Sequence, residues 1–176
     1  MYCELRMKRI MFQTISQEIT AMVELDQKAR AKNRRDGKTW DKRIDVRNTK
    51  RLSGIVRQIG WPTRSKVGKR ASHGAWLLAQ HADLDRHFQH SCLLYMRAES
   101  PPEVELRDVA HLEDRVRLGF GLSQVYGTQF DQVDGRHIPR PIGDPANVNR
   151  RRKSMGLDTL RQNIARMYRK YPMKNK

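Results

Sequence analysis

Apolar residues recur along this chain at three- and four-residue spacing, the period of a helix with one buried face. Ile15, Ile19 and Met22 predict a first helix over 14–31. The same spacing, continued, lands on Asp26 and then Arg30. A carboxylate and a guanidinium therefore fall where the period reserves space for a core or a cavity. The plainer alternative is a surface pair at i, i+4, worth a few tenths of a kcal/mol, roughly. Leu52, Ile55, Val56 and Ile59 predict a second helix over 45–59, stopped by Gly60 and the exit turn at Pro62. Stepping back along its stripe gives Asn48 and Asp45, again polar residues in apolar register.

A third helix over 65–82 carries small residues, Gly68, Ala71, Ser72, Gly74, Ala75 and Ala79, which suit close approach of another backbone. A fourth over 85–98 carries Phe88, Cys92, Tyr95 and Met96, and ends before Pro101-Pro102. Leu106, Val109, Leu112 and Val116 mark a fifth over 105–118, and a last helix is expected over 159–171. No strand alternation or internal repeat is visible. The expectation is an all-α, single-domain bundle of five to six helices, with an irregular Gly/Pro-rich segment after the fifth. Residues 1–13 form an N-terminal extension, 33–43 a basic loop, 131–158 a loop-rich segment and 172–176 a basic tail.

Length agrees with one domain: 176 residues bury a core without disulfides or a structural metal. Cys3 and Cys92 match no zinc or redox spacing and read as reduced thiols. No apolar run approaches the ~20 residues of a membrane span, and the first residues lack the apolar stretch of an export signal. The expected location is the cytoplasm, with no membrane partner. Oligomeric state stays open.

Charge adds a second theme. The net charge is +17, and such a field attracts polyanions and anionic substrates. Basic residues concentrate between Lys28 and Arg51 and again after Val148. Arg34, Arg35, Lys42, Arg43, Arg150, Arg151, Arg152 and Lys153 are the candidate nucleic-acid contacts. Against that, few aromatics interleave with the basic runs, and no known nucleic-acid-binding signature is present.

Four polar strings carry the candidate chemistry: Gly60-Trp61-Pro62-Thr63, Gln80-His81-Ala82-Asp83, Leu112-Glu113-Asp114-Arg115 and Tyr126-Gly127-Thr128-Gln129. His81 is the candidate general acid/base, because an imidazole titrates near neutral pH. Asp83 or Asp114 would orient its ring. Arg30 and Arg115 would anchor an anion through the planar guanidinium fork, and Arg151 is a further candidate. Asp26, Asn48, Trp61, Gln124, Tyr126, Thr128 and Gln129 complete the expected substrate contacts. The plainer reading of His81 is a helix cap or a satisfied core residue. A divalent metal is the rival use of the acidic and histidine residues, but no HExxH or paired ExxH pattern occurs, so no metal ligand and no cofactor is assigned. His73, His87, His90 and His137 read as surface residues, and neither Cys92 nor Ser123 has the surroundings of a nucleophile.

The strings also resemble an uncharacterised bacterial family, domain of unknown function 6624. The likeness begins at Met22-Val23-Glu24-Leu25-Asp26-Gln27 with Arg30, and continues through Asp45, Asn48, Gly60-Trp61-Pro62-Thr63 and Ala79-Gln80-His81-Ala82-Asp83 with Phe88-Gln89. It then includes Leu112-Glu113-Asp114-Arg115-Val116, Gln124, Tyr126-Gly127-Thr128-Gln129, Pro141-Ile142, Asp144, Arg151-Arg152 and Gly156-Leu157. The resemblance implies a mostly helical domain with Asp26, Arg30, His81, Asp114, Arg115 and Gln129 as a shared site. It implies no reaction. His111 stands where the family pattern has tyrosine, which argues against a ligand role there, and the basic segments are richer in charge than the pattern requires. The expected function is a small cytoplasmic hydrolase or group transferase acting on an anionic or peptide-like substrate. The alternative is a non-catalytic basic module that binds nucleic acid or an acidic protein.

Overall fold

The first apolar stripe belongs to a longer helix than its period predicts. In the computed structural model, which describes residues 2–37, 39–133 and 136–170, α1 runs over Tyr2–Asp36. The supposed N-terminal extension is therefore helical from Tyr2 onward. It contains no glycine or proline to break the helix, although Leu5, Met7 and Ile10 remain exposed. The remaining helices are α2 (Lys42–Ile59), α3 (Arg64–Gln80), α4 (Arg86–Ala98), α5 (Leu106–Gly119), α6 (Val148–Ser154) and α7 (Leu160–Lys170). The architecture is predominantly helical. Two corrections fall in the segment expected to be loop. A short antiparallel hairpin pairs β1 (Phe130–Val133) with β2 (Arg136–Pro139), and α6 occupies part of 131–158. Tyr171 and the basic tail 172–176 lie outside the described residues. Among the described residues no helix is long and apolar enough to cross a membrane.

Contacts gather the chain into two compact units, one within residues 1–105 and one within 106–176. In the first, α1 and α2 pack on α3, and α3 also meets α4. Ile15, Ile19, Leu52, Ile55, Leu78, Ala79, Cys92 and Met96 are buried there. The small face of α3 serves close packing: a Cβ on Gly74 would lie 3.1 Å from side-chain methyls of Ile19 and Val23 on α1. Gly68 interrupts α3 with φ 80°, and the carbonyl of Val67 just before it accepts Ser16 Oγ at 2.6 Å. Asp41 caps α2 by accepting from Arg43 N, and Asp85 caps α4 by accepting from Phe88 N, each at 3.0 Å. These are the N-cap bonds that a free first turn requires.

The last turn of α3 is fastened from α4. Buried Gln89 donates through Nε2 to the carbonyls of Ala79 (3.0 Å) and Gln80 (3.3 Å) and to Asp83 Oδ1 (3.2 Å). A helix C-terminus leaves carbonyls without intrahelical partners; the Gln89 amide reaches Gln80 and adds to the bond that Ala79 accepts from the Ala82 amide, and so fixes the turn carrying His81.

In the second unit, α7 packs on β2 and on α6. The loop from Gln124 to Gln129 connects α5 to the hairpin through Gly127, whose φ is 66°. A Cβ at Gly127 would stand 2.6 Å from Ile142 Cδ1 and 3.1 Å from Leu160 Cδ1. Conformation and space both demand glycine here. Gly127→Ala should cost about 1–3 kcal/mol of unfolding free energy, read by urea denaturation; an unchanged midpoint would contradict this account of the loop.

Candidate functional site

The register that placed Asp26 and Arg30 on the apolar stripe of α1 brings charge into the interior of the first unit. Asp26 is completely buried. Gln27 Nε2 donates to its Oδ2 at 2.8 Å, and Arg30 Nε reaches both oxygens at 3.1 Å. The Nδ1 of His81 lies 3.1 Å from Asp26 Oδ2. This nitrogen is buried and off the axis of a straight hydrogen bond, so the contact is an ion pair when the imidazole is protonated. Arg30 continues outward. Its Nη2 donates to Asp45 Oδ1, and its guanidinium lies over the Trp40 ring, 4.3 Å from the centroid. Trp40 Nε1 in turn donates to Asp45 Oδ2 at 2.5 Å. Three elements thus converge: α1 with Asp26 and Arg30, the start of α2 with Asp45, and the turn after α3 with His81.

Burial by itself raises the pKa of Asp26, but its close contacts with His81 and Arg30 outweigh it and hold the carboxyl below its ordinary value. Asp26 is therefore an anion at neutral pH.

Asp26, Asp45 and His81 each offer a ligand atom within 4.8 Å of the others, a spacing that a metal ion could bridge. The guanidinium of Arg30 already supplies a cation between the two carboxylates and draws on the same oxygens. A divalent ion would have to displace it. The donor set fits an organic cation–carboxylate network better than a metal centre.

The other sequence candidates fall into different roles. Asn48 is buried on α2 between Asp45 and Leu52. Trp61 is a core residue, 1 % exposed, and Lys66 Nζ ties its carbonyl at 3.0 Å. Asp83 accepts from Gln89, and the carboxylate found at His81 Nδ1 is Asp26. Cys92 is buried, which pushes its thiol far up, away from thiolate chemistry.

Asp114, Arg115, Gln124, Tyr126, Thr128 and Gln129 form a separate group in the second unit, where the loop consumes their polarity. Asp114 Oδ1 accepts from the amides of Val125 (2.7 Å) and Tyr126 (3.0 Å). Its Oδ2 accepts from the Thr128 amide and hydroxyl, both at 2.9 Å. Gln124 bonds both the amide and the carbonyl of Gln129, and Arg115 Nη1 donates to Gln129 Oε1 at 3.0 Å. From the other side, Arg151 Nε holds the carbonyl of Val125 at 2.9 Å, and Arg152 Nη1 that of Tyr126 at 2.7 Å. Successive amides converging on a carboxylate make an anion-binding nest, and Asp114 already fills it. Arg152 is 1 % exposed and paired with Asp158, so it is a clamp and cannot meet a phosphate backbone. Arg151 is likewise spent on Asp144 and loop carbonyls. Arg34, Arg35, Lys42, Arg150 and Lys153 are exposed; Arg43 is exposed but bonded to Asp41.

Sequence reasoning missed Trp40 as the platform for Arg30 and Gln89 as the clamp on the His81 turn. Trp40 is the lone aromatic of the basic run, and Gln89 falls in a matching string, but nothing in their spacing shows what they touch.

The chain belongs to DUF6624, a family of unknown function, whose pattern matches residues 13–176. No curated protein and no solved structure matches it.

Two outcomes test these assignments. Asp114→Ala leaves several amides without their acceptor and should cost about 3 kcal/mol by urea unfolding; a loss below about 1 kcal/mol would remove it from the structural role. For Asp26 the sign follows from its depressed folded-state pKa. Its stabilisation is complete above the unfolded value near 3.8 and is lost as pH falls from there through the folded value. The stability gap between the wild type and Asp26→Asn should therefore shrink as pH falls below ~4. A gap independent of pH would contradict the ionised, paired carboxylate.

Proposed function

We propose that this protein is a small enzyme, a hydrolase or group transferase for an anionic or peptide-like substrate, with His81 as its general acid/base. The observation that carries the reading is the pairing of His81 Nδ1 with the fully buried, ionised Asp26 at 3.1 Å. An imidazole whose Nδ1 carries its proton towards Asp26 would present Nε2 as the proton acceptor. Nε2 takes the proton of an attacking water or hydroxyl group, the imidazolium that forms is stabilised by Asp26, and the proton passes to the leaving group. Asp26 takes the orienting role that the sequence offered to Asp83 or Asp114. Arg30 is a positioning residue: it fixes Asp26, joins it to Asp45 and is itself braced by Trp40. Two free cysteines, one exposed, suit work in the reducing cytoplasm.

A second reading rests on the exposed Arg34, Arg35 and Lys42 around the α1–α2 connection and on Arg150 and Lys153. With a net charge of +17, these suit a nucleic acid or an acidic protein. That reading requires binding that weakens steeply with salt and survives loss of His81.

Long-range proton–nitrogen NMR on His81 separates the readings without knowledge of the substrate. The neutral ring should carry its proton on Nδ1, and Asp26→Asn should shift the population towards the Nε2–H tautomer. In a panel of chromogenic esters, amides and phosphoesters, His81→Ala should lower any turnover found by about 10²–10⁴-fold, with the helical circular dichroism intact. An Nε2–H tautomer in the wild type, or full turnover in folded His81→Ala, would defeat the acid/base assignment.

A further inference from the structure

The first unit carries a cleft of about 440 Å³, lined by Val46, Thr49, Lys50, Ser53, Arg57, Leu84 and Asp85. Pockets of roughly 300–1,000 Å³ with mostly apolar walls and a few placed polar groups are the usual seats of small ligands. Its walls continue the elements that carry the proposed chemistry. Val46 follows Asp45 on α2, and Leu84 lies three residues beyond His81 in the turn that Gln89 fastens.

The cleft has two chemically different parts. Val46 and Leu84 are large apolar side chains left 53 % and 56 % exposed, one from each wall. Farther along α2, Lys50, Ser53 and Arg57 share a helical face, and Arg57 Nη1 leans back to donate to Ser53 Oγ at 3.2 Å. This brings a guanidinium and a hydroxyl together, with Lys50 one turn back on the same helical face. The single carboxylate of the lining, Asp85, is engaged in capping α4, so the cleft has an excess of positive charge. From Val46 to Ser53 is about 10 Å along the helix at 1.5 Å per residue.

We propose that this cleft binds an elongated organic anion, with a carboxylate or phosphate at Lys50, Ser53 and Arg57 and an apolar body against Val46 and Leu84. The proposal rests on the acid/base reading for what happens next: the far end of the molecule is delivered to the segments carrying Asp45 and His81, and the oxyanion is a handle, not the reacting group. Two charges and an apolar wall together select against small inorganic anions, which lack the body, and against neutral amphiphiles, which lack the handle.

The test is an NMR titration of the full chain with hexanoate and hexyl phosphate, with 1-hexanol and inorganic phosphate as controls. At least one charged amphiphile should shift the amides of Val46, Ser53 and Leu84 and bind about tenfold or more tightly than either control; comparison of the two tells which oxyanion is preferred. Lys50→Glu/Arg57→Glu, both at exposed positions, should abolish that preference, and Leu84→Asp should weaken the amphiphile but not inorganic phosphate. Absence of binding, equal binding of a control, or binding indifferent to the charge reversal overturns the proposal. If binding holds while the His81 tautomer and turnover results fail, only the acid/base reading falls. If those results hold while binding fails, only the cleft assignment falls.

Discussion

Everything distinctive about the first unit follows from placing one carboxylate, Asp26, where no water reaches it. A buried anion is expensive unless it is paired and hydrogen-bonded. Gln27, Arg30 and His81 meet that demand together, and each then imposes a demand of its own. Arg30 needs a second acceptor and finds Asp45; its planar face needs cover and finds Trp40. His81 needs a fixed backbone, which Gln89 provides by binding the carbonyls of the preceding turn. The network is a chain of consequences, so removal of any member leaves another buried polar group unsatisfied.

The second unit solves a similar problem for a different end. Asp114 is equally buried, yet its partners are the backbone amides of a glycine-containing loop and the hydroxyl of Thr128. Arg151 and Arg152 take up carbonyls from the same loop. An irregular segment cannot satisfy its own backbone as a helix does, and a buried loop must therefore be supplied with side-chain partners. The polarity of Gln124, Thr128 and Gln129 is the cost of burying that loop.

Much of this was legible in the sequence because helices repeat. The stripes through Ile19, Leu52 and Val116 located their helices to within a few residues, except at the start of α1, where the apolar positions face solvent and leave no period to read. The hairpin escaped because β1 and β2 are four residues each and mostly exposed, too short for an alternating run to stand out; the Asp134-Gly135 pair between them was the available cue. Helix α6 escaped because its basic run read as charge rather than as structure, although Pro145 before it and Gly156 after it are ordinary boundary signals. The register of Asp26 and Arg30 was readable for the same reason the helices were. Which partner each would find was not, because His81, Asp45 and Trp40 are brought to α1 by tertiary packing alone.

The two buried carboxylates are satisfied in different ways. Asp114 discharges its oxygens onto backbone that has no other partner, so it makes a fold possible that an apolar residue would not. Asp26 discharges its oxygens mainly onto side chains, and those side chains are themselves charged or titratable. A leucine at 26, with apolar residues at 30 and 81, would pack the same helices and often do so with greater stability, since buried ion pairs gain little over well-packed hydrophobic residues. Stability therefore explains the polar loop of the second unit but leaves the charges of the first without a reason. On the acid/base reading proposed above, a network that ends in a half-buried imidazole has its explanation in chemistry at that imidazole.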